Sequence, residues 1–140
     1  MTHSNRRSAA DIYRDYNAAE NRHDLPGTTS LVAENLQVEV NGVPQVSSGA
    51  DDEAAMAILY EIYPDYRREI KRIVDAGDEA AVLWKMLGTP AQGLSGILPL
   101  EAEGVSIVTG NGSVLTRASL FADSSALDEA LRRAAEGKHD

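Results

Sequence analysis

The sequence of 140 residues contains no cysteine, which excludes disulfide bonds, thiolate metal sites and a cysteine nucleophile. No run approaches the roughly 20 apolar residues of a membrane-spanning helix, and the N-terminus lacks the apolar core of a signal peptide. Basic residues are few: 13 Lys and Arg stand against 22 Asp and Glu, and the charge of −9 repels phosphate backbones and anionic lipids. We therefore predict a cytoplasmic protein that binds neither nucleic acid nor membranes.

The length of the chain suits one domain, large enough to bury roughly two thirds of its unfolded surface without disulfide bonds. Residues 1–8 are polar and predict a disordered tail, and a single domain is predicted over residues 9–137. Apolar residues at helical spacing predict a first helix over residues 9–21, with Ser8 as its N-cap. Further helices are predicted over residues 28–33, 51–62 and 124–135.

Apolar runs separated by turn residues predict a sheet of mainly antiparallel strands. The central pair covers residues 66–74 and 80–87, joined by the turn Asp75-Ala76-Gly77-Asp78. Other strands are predicted over residues 36–40, 43–46, 105–108 and 114–121, with hairpin turns at Asn41-Gly42 and Asn111-Gly112. Helices first, then a hairpin, a helix and a run of strands indicate an α+β fold in which one curved sheet wraps around helices.

Several short motifs follow one another in a familiar order. They are Tyr63-Pro64-Asp65 before a strand, the Ala-Gly-Asp turn at residues 76–78, a strand through Trp84, and Gly88-Thr89-Pro90. In this order and spacing, the chain resembles the SnoaL-like polyketide cyclases of the nuclear-transport-factor-two-like superfamily over about residues 12–131. The resemblance implies a cone-shaped α+β barrel with a mixed sheet around N-terminal helices, a blind pocket for a hydrophobic small molecule, and a homodimer.

The resemblance places Tyr16, Asn17 and Trp84 on positions that line this pocket. Tyrosine and tryptophan combine an apolar body with one hydrogen-bonding tip, which suits them to orient a polyketide, although each also suits a protein core. Alternation along the last strand places Thr116 and Leu120 on one face. We predict that the pocket is apolar and aromatic rather than ionic, and that these residues contact substrate: Tyr16, Asn17, Tyr60, Trp84, Met86, Thr116 and Leu120.

The candidates for catalysis are Asp123 and Arg117. Family members that close rings by aldol chemistry carry an acid/base Asp at the end of this strand, and an ungapped alignment places that position on Ala122. A one-residue bulge would give the role to Asp123, which is alternatively an N-cap for the helix predicted over residues 124–135. Arg117 is suited to bind a carboxylate or polarise a carbonyl, or alternatively to pair with a surface acid.

The resemblance implies a cofactor-independent cyclase of natural-product biosynthesis that closes a carbon–carbon ring. Because the acid/base Asp position falls on Ala122, we predict that it does so by confining its substrate, for example in a four-plus-two cycloaddition. The alternatives are an aldol cyclase that uses Asp123, and a non-catalytic binding or dimerisation module. A steroid-isomerase-like reaction lacks its base, because that position falls on Val40, and epoxide-hydrolase chemistry lacks the Asp expected at Ala118. The spacing of the histidines predicts no metal site, and no phosphate-binding loop indicates a nucleotide cofactor.

Overall fold

The computed structural model of the protein describes residues 6–94 and 96–123, which form three helices and six strands. The helices are α1 (Ala9–Asn21), α2 (Leu25–Thr29) and α3 (Gly49–Ile62). The strands are β1 (Val32–Val40), β2 (Val43–Val46), β3 (Arg67–Ala76), β4 (Glu79–Gly88), β5 (Leu100–Gly110) and β6 (Leu115–Ala122). The helix predicted over residues 124–135 lies outside the described residues.

The strands form one sheet in the order β2-β1-β6-β5-β4-β3. Strands β1 and β6 are parallel, and the other neighbouring pairs are antiparallel. The mixed sheet is curved, and the N-terminal helices pack on its concave face, which confirms the predicted α+β architecture. Residues from α1, α3 and the inner face of the sheet form one core, so any cavity for a ligand must lie between these layers.

The first helix forms where the apolar spacing predicted it. The Ser8 hydroxyl accepts a hydrogen bond from the Asp11 N–H, which satisfies one of the free donors at the helix N-terminus. Ile12, Tyr13 and Tyr16 lie on one side of the helix and are buried, because their spacing places them on the same face. This face contacts β3, β4 and β5, so the polar tips of its tyrosines enter the interior of the cone.

Two predicted hairpin turns are confirmed by their backbone geometry. Asn41 and Gly42 both have positive φ, 51° and 84°, as the tight turn between β1 and β2 requires. Gly77 has a φ of 80° and lies between Ala76 and Glu79, the last pair of the β3–β4 hairpin. Left-handed backbone conformations favour glycine and, to a lesser degree, asparagine, which is why these turns are legible in the sequence.

The helix predicted over residues 28–33 is wrong in its position. The Asp24 side chain accepts a hydrogen bond from the Gly27 N–H and starts helix α2 earlier, at Leu25, with Pro26 in its first turn. The helix ends at Thr29, because Val32 already pairs with Leu115 in the parallel ladder between β1 and β6. Strand pairing over a distance in sequence therefore overrides the local helical pattern.

Strand β5 is longer than predicted. It pairs with β4 without interruption, from Leu100 opposite Gly88 to Thr109 opposite Glu79. The prediction was limited to residues 105–108, because Glu101 and Glu103 interrupt the apolar run. Both glutamates are exposed on the outer face of the strand, where charge has little cost.

Residues 6–8 contact the folded chain. Arg6 forms an ion pair with Asp78, and the Arg7 N–H donates a hydrogen bond to the Gly112 carbonyl at 2.8 Å. The disordered tail over residues 1–8 and the domain bounds of 9–137 stay predictions, since residues 1–5 and 124–137 lie outside the described part of the chain. Among the described helices, none has both the length and the apolar character needed to cross a bilayer.

Candidate functional site

A main cavity of about 190 Å³ lies between helix α3 and the inner face of the sheet. Its walls are largely apolar and include Met56 and Leu59 from α3, together with Trp84, Leu120 and other residues of every strand. A side cavity of about 90 Å³ extends towards α1. The two cavities adjoin, because they share four lining residues. These are Val38, Met56, Arg68 and Leu120.

Strands β4 and β6 supply several of the predicted substrate contacts. Trp84, Met86 and Leu120 line the main cavity, where the predictions placed them. The Trp84 ring is held in place, because its Nε1–H donates a hydrogen bond to the buried Ser106 hydroxyl at 2.8 Å. Their contact with a substrate stays a prediction, but these side chains occupy the wall that such a molecule would touch.

Thr116 does not occupy its predicted position. A bulge in β6 interrupts the pairing with β5, so that Leu115 lies opposite Gly110 and Arg117 lies opposite Thr109. The Thr116 hydroxyl donates a hydrogen bond to the Thr109 carbonyl at 3.3 Å instead of facing either cavity. Leu115 lines the side cavity in its place, because the extra residue shifts the alternation by one.

A buried ion pair lies beside the cavities, so the expectation of a pocket lined without ions is wrong. The Arg68 side chain lines both cavities, and its Nε atom lies 3.6 Å from Glu20 Oε2. Arg68 is 8% exposed and Glu20 is 0% exposed. Burial lowers the pKa of Arg68, but the Glu20 carboxylate and two nearby tyrosines raise it more, so that the pKa lies well above its usual value. Arg68 therefore presents a permanent positive charge to the cavities.

The guanidinium of Arg68 is fixed by its neighbours on two sides. Its Nη1 donates a hydrogen bond to the Tyr13 hydroxyl at 2.8 Å, and its Cζ lies 4.8 Å from the centroid of the Trp84 ring. Strand alternation points Tyr66, Arg68 and Ile70 inward. This alternation is the signal that could have identified Arg68, which was overlooked because residues 66–74 were interpreted only as a strand of the central hairpin.

Glu20 has its own set of hydrogen-bond donors. The Tyr66 hydroxyl donates to Glu20 Oε2 at 2.6 Å, and Asn17 Nδ2 donates to Oε1 at 3.2 Å. The Tyr60 hydroxyl donates to the Glu20 main-chain carbonyl at 2.9 Å. Asn17 and Tyr60, both predicted to contact substrate, thus support Glu20 and lie outside the lining of the two cavities.

Tyr16 and Asp52 form a second polar pair, on the wall of the side cavity. The Tyr16 hydroxyl donates a hydrogen bond to Asp52 Oδ2 at 2.8 Å. Burial raises the pKa of Asp52 by more than this hydrogen bond lowers it, and burial beside Asp52 raises the pKa of Tyr16 well above its usual value. Tyr16 was predicted to lie in the pocket, whereas Asp52 was missed because an acid in the first turn of a helix is ordinary.

The two predicted catalytic residues lie away from both cavities. Arg117 projects from the outer face of β6, where its Nη2 lies 3.6 Å from Glu39 Oε1, so it adopts the alternative role of a surface ion pair. Asp123 is exposed and follows Ala122, the last residue of β6 that lines the main cavity. Its alternative role as a helix N-cap concerns residues outside the described part of the chain.

The fold is shared with solved structures of low sequence identity. IdmH from Streptomyces antibioticus, a suggested polyketide cyclase, superimposes with a TM-score of 0.74 at 16% identity, over 89% of this chain and 99% of that one. A suggested SnoaL-like polyketide cyclase from Shewanella putrefaciens superimposes with a TM-score of 0.72 at 10% identity, over 89% and 96%. An NTF2-like protein of unknown function from Cytophaga hutchinsonii superimposes with a TM-score of 0.66 at 11% identity, over 86% of this chain and 95% of that one. At these identities the likeness shows the fold alone.

No curated protein matches the sequence significantly. The family model of the SnoaL-like domain, by contrast, matches residues 13–122, which span α1 to the end of β6 and include every residue of the two polar pairs. This chain therefore belongs to the SnoaL-like domain family.

Proposed function

We propose that the protein is a cofactor-independent cyclase that closes a carbon–carbon ring in a polyketide-type intermediate by confining it. The observation that carries this proposal is the main cavity, which is walled by apolar side chains around the fixed charge of Arg68. Apolar cavities with a few convergent polar groups are the usual form of a small-molecule site. The two suggested polyketide cyclases among the structures with the same fold support this substrate class.

Confinement accounts for ring closure without an acid or base. Among the described residues that line the main cavity, none is a carboxylate or an imidazole. A pericyclic closure, such as a four-plus-two cycloaddition, transfers no proton and needs only that the reacting carbons be held together. Fixing them in a near-attack geometry lowers the barrier by up to about 7–11 kcal/mol in ideal cases. Walls such as Met56, Trp84 and Leu120 are suited to impose that geometry.

An aldol cyclase is the second candidate, and one observation favours it. Asp52 lies on the wall of the side cavity with a raised pKa, in contact with the Tyr16 hydroxyl. A carboxyl group whose pKa is closer to neutrality is better matched to proton transfer. In this mechanism Asp52, rather than Asp123, would be the general acid/base.

Turnover of a linear polyene ketone, followed by mass spectrometry and NMR of the product, tests the proposal. The change Leu120→Trp fills the main cavity and is expected to slow cyclisation at least about tenfold, whereas Leu98→Trp, at a side chain 65% exposed, is the matched control. Thermal stabilisation by the substrate without any product would contradict the cyclase function and favour a binding module.

We also propose that two copies of the chain associate through the outer face of the sheet. Leu83, Val105 and Phe121 lie opposite one another on three adjacent strands, and Leu83 and Phe121 are 40% and 47% exposed. An apolar row of this kind is a common feature of protein interfaces. Sedimentation at micromolar concentration is expected to give a dimer, with Leu83→Glu shifting it to monomer. A monomeric parent protein would contradict the proposal.

A further inference from the structure

Arg68 has more hydrogen-bond donors than the protein satisfies. An arginine carries five N–H groups. Nη1 donates to the Tyr13 hydroxyl, but Nη2 contacts only a weak acceptor, the Met86 sulfur at 3.5 Å, within the described part of the chain. Nε has no hydrogen-bond acceptor among residues 6–94 and 96–123. A cation that is nine-tenths buried with weakly satisfied donors is rare in an interior, so Nη2 is available to an acceptor that enters the cavity.

The position of Nη2 indicates where a ligand acceptor would lie, whereas Nε is directed towards Glu20. Met86 lines the main cavity, and Arg68 lines both cavities. A ligand oxygen placed beside the Met86 sulfur would therefore give Nη2 a much stronger acceptor than it has in the free protein. Hydrogen bonds that involve a charged donor are about twice as strong as neutral ones, so this contact would orient the ligand in the cavity.

The charges around Arg68 favour a neutral acceptor over an anion. The Glu20 carboxylate lies 3.6 Å from Nε and already balances the guanidinium charge. Asp52 lies on the wall of the adjoining side cavity, so a carboxylate ligand would bring a further negative charge towards two acids. A carbonyl oxygen accepts the same hydrogen bond without this repulsion.

Resting on the proposed cyclase function, we infer that Arg68 binds the carbonyl oxygen of an α,β-unsaturated ketone or ester in the main cavity and polarises its conjugated double bond. The guanidinium is held against the Trp84 ring at 4.8 Å and by Tyr13, so its N–H donors and charge are oriented before the substrate arrives. Arg68 is thereby a catalytic residue, and the substrate is an enone that carries a diene in the same molecule.

The reaction balances without any other reactant. Three π bonds react, two of the diene and one of the enone. They are replaced by two carbon–carbon σ bonds and by one new π bond between the two central carbons of the former diene. No proton, electron or leaving group is exchanged. The hydrogen bond from Arg68 draws electron density towards the carbonyl oxygen, which makes the β-carbon of the enone more electrophilic and lowers the barrier to bond formation.

The experiment compares the binding of benzylideneacetone with that of its hydrocarbon isostere, in which a methylene group replaces the carbonyl oxygen. Calorimetry is expected to show at least about tenfold tighter binding of the ketone to the parent protein. Infrared difference spectra of the ketone with an isotope-labelled carbonyl are expected to show a lower stretching frequency in the bound state. Equal affinity for the two compounds, no binding of the ketone, or an unshifted carbonyl band would overturn the inference.

The variant for this test is the double change Glu20→Gln and Arg68→Met, which removes both charges together and so avoids a stranded buried ion. It is expected to lose the preference for the ketone and the carbonyl shift. Arg117→Met, on the outer face, is the matched control that keeps both. The comparison of the two ligands on the parent protein decides the question even if the double variant does not fold. A shifted carbonyl band without any turnover would leave this inference standing and contradict the cyclase function alone.

Discussion

Glu20 Oε2 and Arg68 Nε lie 3.6 Å apart, and both side chains are almost fully removed from solvent. Taking two charges out of water costs several kcal/mol per ion, so such a pair contributes little net stability compared with an apolar pair of similar size. Its position beside the two cavities fits the binding role that we propose for Arg68 better than a role in holding the fold together. The tyrosines and Asn17 around the pair keep it in one geometry.

The first prediction concerns the cost of breaking this pair. Arg68→Met alone leaves the Glu20 carboxylate buried without its counter-ion, and we expect the free energy of unfolding to fall by about 3–5 kcal/mol. Adding Glu20→Gln is expected to recover more than half of this loss, because the amide carries no charge and still hydrogen-bonds Tyr66 and Asn17. Urea unfolding of Arg68→Met, Glu20→Gln and the double variant measures these free energies. If the losses of the two single variants add up to that of the double variant, the pair is not coupled.

The second prediction concerns the hydrogen bond that holds Trp84. Ser106 is 1% exposed, and its hydroxyl accepts the Trp84 Nε1–H at 2.8 Å. Ser106→Ala leaves a buried N–H without an acceptor and is expected to lower the free energy of unfolding by about 1–3 kcal/mol. Chemical denaturation provides the measurement. Ser113→Ala, at an exposed position in the last turn, is the matched control and is expected to change stability by about 0.5 kcal/mol or less.

The fold was predictable where local chemistry specifies the backbone. Positive φ at Asn41, Gly42 and Gly77 favours the residues that the sequence has there, so the two hairpins were predictable. The resemblance placed Trp84 on the pocket wall, and strict alternation along β4 puts Met86 on the same face. In these elements, pattern and turn chemistry agree with each other and with the final structure.

The polar part of the site was not predictable in the same way. Glu20 and Arg68 lie far apart in sequence. Alternation along β3 places Arg68 on the inward face, but no local pattern shows that Glu20 meets it there. Thr116 was misplaced because a bulge changes the alternation without any Gly or Pro to mark it. Interactions between distant segments decide these features, and a single sequence does not display them.

The third prediction concerns the pH dependence of stability. The pKa of Asp52 is raised above its usual value of 3.8, chiefly by burial, so the folded state holds this proton more tightly than the unfolded state. The stability due to protonated Asp52 is fully present below pH 3.8 and is lost as the pH rises through the pKa of the folded state. The loss is about 1.4 kcal/mol for each pH unit by which the pKa of the folded state exceeds that of the unfolded state. Asp52→Asn lacks this titration.

We therefore expect the unfolding free energies of the parent protein and of Asp52→Asn to diverge between pH 4 and pH 8. Asp52→Asn gains stability relative to the parent as the pH rises. Tyr16→Phe removes the hydrogen bond that lowers the Asp52 pKa, so the change in stability with pH is expected to extend to higher pH in that variant. Parallel curves for the parent and Asp52→Asn would show that Asp52 titrates normally in the folded protein.

The fourth prediction separates the two proposed mechanisms through Asp123 and Asp52. Asp123 is exposed beyond the end of β6, outside both cavities, so Asp123→Ala and Asp123→Asn are expected to retain cyclisation within about twofold once circular dichroism has shown an intact fold. In a closure driven by confinement, Asp52→Asn also retains turnover, because no proton moves.

A loss of turnover of at least about a hundredfold in Asp52→Asn alone would establish proton transfer from the side cavity, since general acid/base catalysis contributes 10²–10⁴-fold. The aldol mechanism would then replace the pericyclic one. The same loss in the Asp123 variants would instead show that the end of β6 moves into the cavity when substrate binds.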